Sequence, residues 1–269
     1  MLGDDFVFGG PMDVAISVGE VNLSAPTGVG GASAVDDEDA MPLVACDAAR
    51  ASGDAPLIDD FEDADDATLV QDGREGSWYP YNSDDSDAHV LEYAGTENIP
   101  GAGGMALHTF GGGYSWAGIG FGLRWGAEDA NGIWQDCFYD ASPYVGVRFW
   151  ARGNGVTVNF NASMPEVIPI NDGGLCDTVQ GACWNAHGMN VTFGAEWQRM
   201  TILFDDMVRP GGADIGPLDP SRIRSMQFDI PENAEFDFWI DDLTFVTEAD
   251  VAGDPTVVEP DPVEDGGTP

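Results

Sequence analysis

Apolar and polar residues alternate in ten short segments between residues 77 and 245, which is the period of a strand with one buried face. The segments are residues 77–81, 89–93, 105–110, 117–125, 144–151, 156–162, 189–193, 197–204, 223–230 and 235–245. No window of the sequence carries apolar residues at the 3.6-residue period of an amphipathic helix over three turns. The pattern predicts an all-β fold, a two-sheet antiparallel β-sandwich, and the 36 Gly and 17 Pro suit the turns between short strands.

Two acidic-aromatic segments, residues 57–63 and 238–245, lie near the two ends of this region. If they form the first and last strands of one sandwich, they lie side by side and bound a single domain of residues 57–246. Residues 1–56 are then an extended N-terminal segment or linker with one possible strand at about 14–23. Residues 247–269 are an acidic, Pro-rich tail.

The charge of the chain is extreme: 48 Asp and Glu stand against nine basic residues, all of them Arg, for a formal net charge of −39. Such a surface repels phosphate and anionic lipid, so neither nucleic acid nor a membrane surface is an expected partner. No apolar run approaches the roughly 18 residues that a membrane span needs. No signal peptide is visible either, although the acidic charge suits a salty or calcium-rich medium and so an extracellular or cell-surface location.

Four cysteines, an even number, predict two disulfides with three possible pairings. The pair Cys176–Cys183 is favoured because both lie in one Gly-rich loop, and this leaves Cys46 with Cys137. A zinc site built from Cys176, Cys183 and His187 is the weaker alternative, since no fourth ligand is near in sequence.

The later strands present planar donors, amides, a carboxylate and indoles on the side opposite their apolar residues. An indole stacks on the apolar face of a pyranose, and Arg, Asn, Gln and Asp match its hydroxyls, so this side is a candidate carbohydrate surface. An ordinary solvated sheet face is the alternative. The candidate residues on the strands are Arg148, Trp150, Asn159, Arg199, Gln227 and Asp229, and those on the rim are Trp78, Tyr81 and Trp116.

Three motifs resemble the galactose-binding-like jelly rolls, and most closely the family 11 carbohydrate-binding modules and their secreted bacterial relatives. They are residues 58–63 (IDDFED), 144–153 (YVGVRFWARG) and 236–243 (FDFWIDDL). The resemblance implies a non-catalytic jelly roll with a ligand cleft across its concave sheet. It also implies a structural calcium near the first and last strands, which would be bound by Glu62 and by Asp241 or Asp242, with Asp60 as a weaker candidate.

The sequence leaves a rival open, a structural subunit of an extracellular filament or surface layer. In that interpretation residues 10–25 would donate a strand to a neighbouring molecule. An enzyme is not expected, because no nucleophile, metal-binding His spacing or distinctive carboxylate pair stands out among so many acids. The predicted partner is a polysaccharide or other glycan.

Overall fold

The computed structural model describes residues 49–84, 89–96, 104–124, 126–128, 134–135, 137–170, 174–177, 183–211 and 215–259. Within these ranges the chain is almost entirely strand and turn. The strands are β1 (Ala49–Arg50), β2 (Leu57–Asp59), β3 (Trp78–Asn82), β4 (Val90–Thr96), β5 (Gly104–Gly112), β6 (Ala117–Gly122), β7 (Ala127–Glu128), β8 (Trp134–Gln135), β9 (Tyr139–Asp140), β10 (Gly146–Gly153), β11 (Thr157–Ser163), β12 (His187–Thr192), β13 (Gln198–Leu203), β14 (Ser225–Ile230) and β15 (Glu235–Val246). One short helix, α1 (Glu248–Val251), follows β15.

Two antiparallel sheets form the sandwich. The six-stranded sheet has the order β13–β10–β15–β5–β4, and β2 pairs with β15 beside this path. The five-stranded sheet has the order β12–β11–β14–β6–β3. All ten segments predicted from alternation are strands of these two sheets, so the predicted two-sheet antiparallel β-sandwich is confirmed.

The core between the sheets is rich in phenylalanine. Phe149 of the six-stranded sheet contacts Phe160 and Phe228 of the five-stranded sheet, with ring centroids 6.0 and 5.5 Å apart. Phe193 and Phe238 extend the same cluster. Because alternate residues of each strand fill this core, the remaining side chains are directed to the two outer faces of the sandwich.

The chain packs onto the sandwich beyond the predicted domain boundaries. On the N-terminal side, β1 pairs in parallel with β9, and the Phe245 amide donates to the Pro56 carbonyl. On the C-terminal side, the Thr201 amide donates to the Thr256 carbonyl, and the Val258 amide donates back to Thr201. The segment after β15, predicted as a tail, therefore covers the free edge of β13 as far as Val258.

Two sequence predictions fall on residues 1–48, which lie outside the described residues. These are the possible strand at 14–23 and the assembly segment 10–25. No helix in the described ranges is long and apolar enough to cross a membrane.

Candidate functional site

Two rows of side chains cross the outer face of the five-stranded sheet. In the first row Tyr79 of β3 pairs with Gly120 of β6, which pairs with Gln227 of β14. In the second row Tyr81, Gly118 and Asp229 occupy the same three strands. Each tyrosine reaches across the glycine beside it: Gln227 Nε2 donates to the Tyr79 hydroxyl at 3.2 Å, and the Tyr81 hydroxyl donates to Asp229 Oδ1.

The glycines of β6 make this arrangement possible. A Cβ on Gly120 would lie 2.8 Å from the Tyr79 ring and 2.9 Å from Gln227 Cγ. A Cβ on Gly118 would overlap the Tyr81 ring and its hydroxyl. Because neither glycine carries a side chain, the two tyrosines lie low over the sheet and leave a depression above them.

Two exposed tryptophans stand beside this depression. Trp116, in the turn before β6, stacks on Tyr81 with centroids 6.4 Å apart and is 55% exposed. Trp184, from the loop before β12, is 51% exposed. Exposed indoles are unusual on a soluble surface, and two around one depression indicate a binding surface.

A disulfide holds the loop that carries Trp184. Cys183, the preceding residue, is bonded to Cys176, as the sequence predicted. Trp184 adopts a positive φ of 65°, and its amide donates to the Val167 carbonyl at 2.6 Å. A bulky residue in this backbone region is strained, so the cross-link and the hydrogen bond must fix its position against that strain.

Two adjoining cavities lie over the sheet and share three lining residues, Tyr81, Trp184 and Gln227. The larger, of about 590 Å³, also has Ser115, Trp116, Ala117, Asp229 and Ile230 in its lining. The smaller, of about 400 Å³, is completed by Gly76, Ser77, Tyr79, Gly122, Arg124, Gly126, Arg224 and Ser225. We call the two cavities together the groove. It follows β14 from Ile230 to Ser225, a length of roughly 17 Å.

Burial changes the pKa values of two side chains in the groove, Asp229 and Tyr81. It raises the pKa of Asp229, although the hydrogen bonds from Tyr81 and Asn161 partly oppose this effect. Burial and the nearby Asp229 carboxylate raise the pKa of Tyr81 well above its ordinary value. Tyr81 therefore stays protonated as a donor near neutral pH.

The predicted rim residue Trp78 is buried instead, with 3% of its surface exposed. Its ring lies 4.6 Å from the Phe121 ring in the core, and its Nε1 donates to Asp59 Oδ2 at 2.8 Å. The alternation of β3 sends Trp78 inward and its neighbours Tyr79 and Tyr81 outward. The assignment of Trp78 to the binding surface was wrong for this reason.

The remaining predicted sugar residues divide between two sheets. Tyr81, Trp116, Asn159, Gln227 and Asp229 belong to the face with the groove, where Asn159 is paired with Asp229. Arg148, Trp150 and Arg199 are on β10 and β13, in the other sheet. The nine predicted residues therefore do not form one surface, because outward residues of different sheets face opposite sides of the sandwich.

The two arginines of that other face contact the C-terminal segment. Arg148 donates to Thr201 Oγ1 at 2.9 Å and to the Asp250 carbonyl at 3.0 Å, and it forms an ion pair with Asp254. Arg199 lies 3.6 Å from Asp254. These contacts fix the segment after β15 on the sheet.

A third cavity, of about 220 Å³, lies on the same face beside Arg152, Asn154, Asp237 and Trp239. His108 stacks on Trp239 at 3.9 Å between centroids, and the Arg152 guanidinium lies 4.9 Å from the same ring. Because His108 and Arg152 already lie against the Trp239 ring, Trp239 presents less open aromatic surface than Trp116 and Trp184 do.

The carboxylates predicted to bind calcium lie near the place where β2 pairs with β15, an interior strand of the six-stranded sheet. Burial, together with the charges of Asp242, Glu62 and Asp60, raises the pKa of Asp241 to about 7 despite a hydrogen bond from the Asp242 amide. Burial and the charges of Asp60 and Glu62 also raise the pKa of Asp242. Because Leu243 of β15 pairs with Asp59 of β2, the front and rear strands lie side by side, as the sequence predicted.

Hard oxygen ligands of this kind suit calcium, and the buried Oδ2 of Asp241 has no hydrogen-bond partner. As the side chains stand, however, the described residues contain no group of three or more acidic, His or Cys side chains arranged to hold a metal ion. The second predicted disulfide, Cys46–Cys137, involves Cys46, which lies outside the described residues.

Sequence reasoning missed Trp184 as a site residue. The signal was present in the sequence, since Trp184 directly follows a cysteine whose partner was predicted correctly. A tryptophan next to a cross-linked loop residue is held in position, which is what a rigid binding surface requires. Tyr79 was missed as well. It is the neighbour of Trp78 on β3 and therefore faces outward where Trp78 faces the core.

Neither a protein-family model nor a curated protein matches this sequence. Among solved structures, the fold is similar to the family 11 carbohydrate-binding module of the cellulosomal cellulase Lic26A-Cel5E of Clostridium thermocellum. The identity is 18%, with 72% of this chain and 94% of that chain covered and a TM-score of 0.45. A family 11 module of Clostridium thermocellum in complex with a β-1,3-1,4-mixed-linked tetrasaccharide is 18% identical, with coverage of 71% and 95% and a TM-score of 0.44.

The family 30 module of the Clostridium thermocellum cellulosomal cellulase Cel9D-Cel44B is 16% identical, with coverage of 63% and 91% and a TM-score of 0.43. The family 11 modules are the group that the sequence motifs resemble.

Proposed function

We propose that this chain is an extracellular, non-catalytic carbohydrate-binding module whose ligand is a polysaccharide lying in the groove. The observation that carries the proposal is the combination of exposed Trp116 and Trp184 with the Tyr79–Gln227 and Tyr81–Asp229 pairs over a glycine floor. Indoles supply flat apolar surface for pyranose rings, and the amide, carboxylate and phenols supply donors and acceptors for hydroxyls. An open groove admits a chain of sugars rather than a single enclosed one.

The disulfide supports the proposed location. Cys176 and Cys183 are joined by a disulfide, and such bonds persist in oxidising compartments outside the cytosol.

We include a structural calcium ion in the proposal, bound near the paired strands β2 and β15. Asp60, Glu62, Asp241 and Asp242 are the residues that would hold it. Burial, together with the charges of Asp242, Glu62 and Asp60, raises the Asp241 pKa to about 7, and this supports the choice. The ion would neutralise buried carboxylates and hold the two ends of the domain together.

The decisive experiment compares Trp184→Ala with Trp150→Ala by affinity electrophoresis and calorimetry against a panel of soluble polysaccharides. Trp184→Ala should weaken binding about tenfold or more, since an aromatic side chain that a bound ligand covers contributes about 1.4 kcal/mol or more. Trp150→Ala is the matched control, because it removes a tryptophan from the opposite sheet. Equal affinities of the two variants, or no retention of the parent protein by any polysaccharide, would rule the proposal out.

A further inference from the structure

The third cavity, of about 220 Å³, lies on the outer face of the six-stranded sheet. Its lining residues are Arg152, Gly153, Asn154, Ala195, Asp237 and Trp239. Because outward residues of the two sheets face opposite sides of the sandwich, this cavity and the groove lie on opposite sides of the molecule. A ligand in the third cavity would therefore not compete with one in the groove.

Two indoles hold the Arg152 side chain beside this cavity. Trp239 of β15 pairs with Arg152 of β10, and Trp197 directly precedes β13, the neighbour of β10 on its other side. The guanidinium carbon lies 5.1 Å from the Trp197 ring centroid and 4.9 Å from that of Trp239. These cation–π contacts position the guanidinium but use none of its N–H donors.

The Arg152 guanidinium has no acidic partner, although the sequence contains 48 acidic residues. Within the described part of the chain, Arg152 forms neither an ion pair nor a side-chain hydrogen bond, and its buried Nε is left without an acceptor. The indoles therefore hold a charged donor group at the cavity with its hydrogen-bonding capacity unused.

Asp237 supplies an acceptor in the same cavity. His108 Nε2 donates to Asp237 Oδ1 at 2.8 Å, which positions the carboxylate, and the Asp237 side chain is 59% exposed. Arg152 and Asp237 both line the cavity, yet these two described residues form no ion pair with each other. A positioned donor and a positioned acceptor thus face the cavity without closing the space between them.

Neighbouring hydroxyl groups of a sugar match this arrangement. One hydroxyl can accept from the Arg152 guanidinium while the next donates to Asp237, since a hydroxyl does both. A small anion matches it less well, because Asp237 would repel it at short range. The volume of about 220 Å³ is below the roughly 300–1,000 Å³ of sites for drug-sized ligands, so the cavity suits one sugar unit rather than a length of chain.

We propose that the third cavity is a second carbohydrate site, which binds a single sugar unit through two neighbouring hydroxyls held between Arg152 and Asp237. Binding there goes beyond the proposed function, because it does not require the groove. With a polysaccharide in the groove and the end of another chain in the third cavity, the module is bivalent and joins two glycans across the sandwich.

The test is an NMR titration of the indole N–H signals with the methyl glycosides of glucose, galactose, mannose and xylose, and with sodium sulfate as the anionic probe. It is carried out on the parent protein, Arg152→Gln, Asp237→Asn, the groove variant Trp184→Ala and the control Arg50→Gln. Arg50 is an exposed arginine that pairs with Asp140 on β9 and lines neither the groove nor the third cavity.

We expect at least one methyl glycoside to bind the parent protein with a dissociation constant in the millimolar range. Arg152→Gln and Asp237→Asn should each weaken this binding about fivefold or more, as for the loss of a hydrogen bond to a charged group. Trp184→Ala and Arg50→Gln should match the parent. Because Asp237 is exposed, Asp237→Asn should stay folded even if Arg152→Gln does not.

A parent protein that binds none of the glycosides, or that binds sulfate instead, would overturn this inference. Glycoside binding that Trp184→Ala abolishes and both cavity variants retain would overturn it as well, and would leave the proposed function intact. A parent protein that no polysaccharide retains, but whose glycoside binding is lost in Asp237→Asn, would instead remove the proposed function and leave the second site.

Discussion

Glycines 118 and 120 determine what can lie on the five-stranded sheet. Each occupies the outward position of β6 directly beneath a tyrosine ring, where any Cβ would collide with that ring. The tyrosines are in turn held by hydrogen bonds to Gln227 and Asp229 two strands away. The depth of the groove is therefore set by the absence of side chains at two positions.

Gly118→Ala should displace Tyr81 and break its hydrogen bond to Asp229. The added methyl also meets the Phe228 carbonyl at 2.6 Å, so we expect a loss of roughly 1–3 kcal/mol in unfolding free energy, as for other overpacked sites. Glycan affinity, measured where both proteins are folded, should fall as well. Gly95→Ala is the control, because its Cβ would meet its nearest neighbour at 3.9 Å. A Gly118→Ala protein with parental stability and affinity would show that Tyr81 is not constrained in this way.

At the residue scale, the sequence predicted which residue types form the site better than it predicted which way their side chains face. Trp78, Tyr79 and Tyr81 lie in one short aromatic segment, and a one-residue choice of register decides which of them face the core. The core contact of Trp78 with Phe121 and its bond to Asp59 decide that choice, and both partners are distant in sequence. Trp184 was detectable from its position directly after Cys183, whose disulfide partner the sequence predicted.

At the scale of elements, the segment after β15 acts as an additional edge of the six-stranded sheet. Asp254 is its main attachment, because it accepts hydrogen bonds from Thr256 and Thr201 and pairs with Arg148. Burial acts to raise the pKa of Asp254, but the hydrogen bonds from Thr256 and Thr201 and the charge of Arg148 outweigh it and lower the pKa. The ionised form is therefore stabilised in the folded protein.

Asp254→Asn should destabilise the protein near neutral pH by about 1–2 kcal/mol, the scale of a lost charge-assisted hydrogen-bond set. A carboxyl group with a lowered pKa contributes stability above its unfolded pKa and loses it as pH falls through the folded value. The difference between variant and parent should therefore shrink steadily below about pH 4, as followed by urea unfolding at several pH values. Glu196→Gln, an exposed acid before β13, is the control. A pH-independent difference would contradict the assigned role of the charge.

The strands themselves could be predicted, whereas their assignment to sheets could not. Alternation gave all ten main strands, because burial on one side leaves a period of two in the sequence. It also gave the correct outward residues of β10 and β11, yet Trp150 and Asn159 lie on opposite sides of the sandwich. Which sheet a strand joins depends on crossover connections and on long-range pairs such as β10 with β15, and these leave no periodic signal.

At the scale of the whole molecule, the paired strands β2 and β15 each carry a buried carboxyl group, Asp59 and Asp241. Asp59 has a pKa raised to about 7 by burial despite hydrogen bonds from Phe61 and Trp78, and Asp241 has a pKa of about 7 as well. Burying carboxylates in their charged form costs stability unless a cation accompanies them. The proposed calcium ion would supply that charge.

Calcium added to chelator-treated protein should raise the melting temperature by about 5–10 °C at 100-fold excess over the dissociation constant, given about 2.7 kcal/mol of linkage. Asp241→Asn and Glu62→Gln should each abolish most of this increase, while Glu232→Gln, an exposed acid away from the proposed calcium site, should retain it. The measurement is calorimetry with magnesium as a parallel sample. An unchanged melting temperature of the parent protein would refute the calcium proposal and leave the groove unaffected.

The net charge of −39 predicts a separate dependence on monovalent salt. Between about 0.05 and 1 M NaCl the Debye length falls to roughly 3 Å, so repulsion among surface carboxylates decreases and the melting temperature of calcium-free protein should rise by several degrees. The same titration near pH 4, close to the pI of about 4.1, should give a much smaller change. A rise of equal size at both pH values would indicate a general salt effect rather than relief of charge repulsion.

The loop that carries Trp184 has a consequence for how proteins of this design can diversify. Cys176 and Cys183 are joined across seven residues, and the amides of Cys176 and Trp184 donate to the carbonyls of Ile168 and Val167 in the segment that follows β11. If the proposed function holds, substitutions in this loop would alter which ligand fits above Tyr81 while the paired strands of the two sheets stay as they are. Selection on ligand preference would then act on this loop. Selection on folding would act on the sheets, and the two need not conflict.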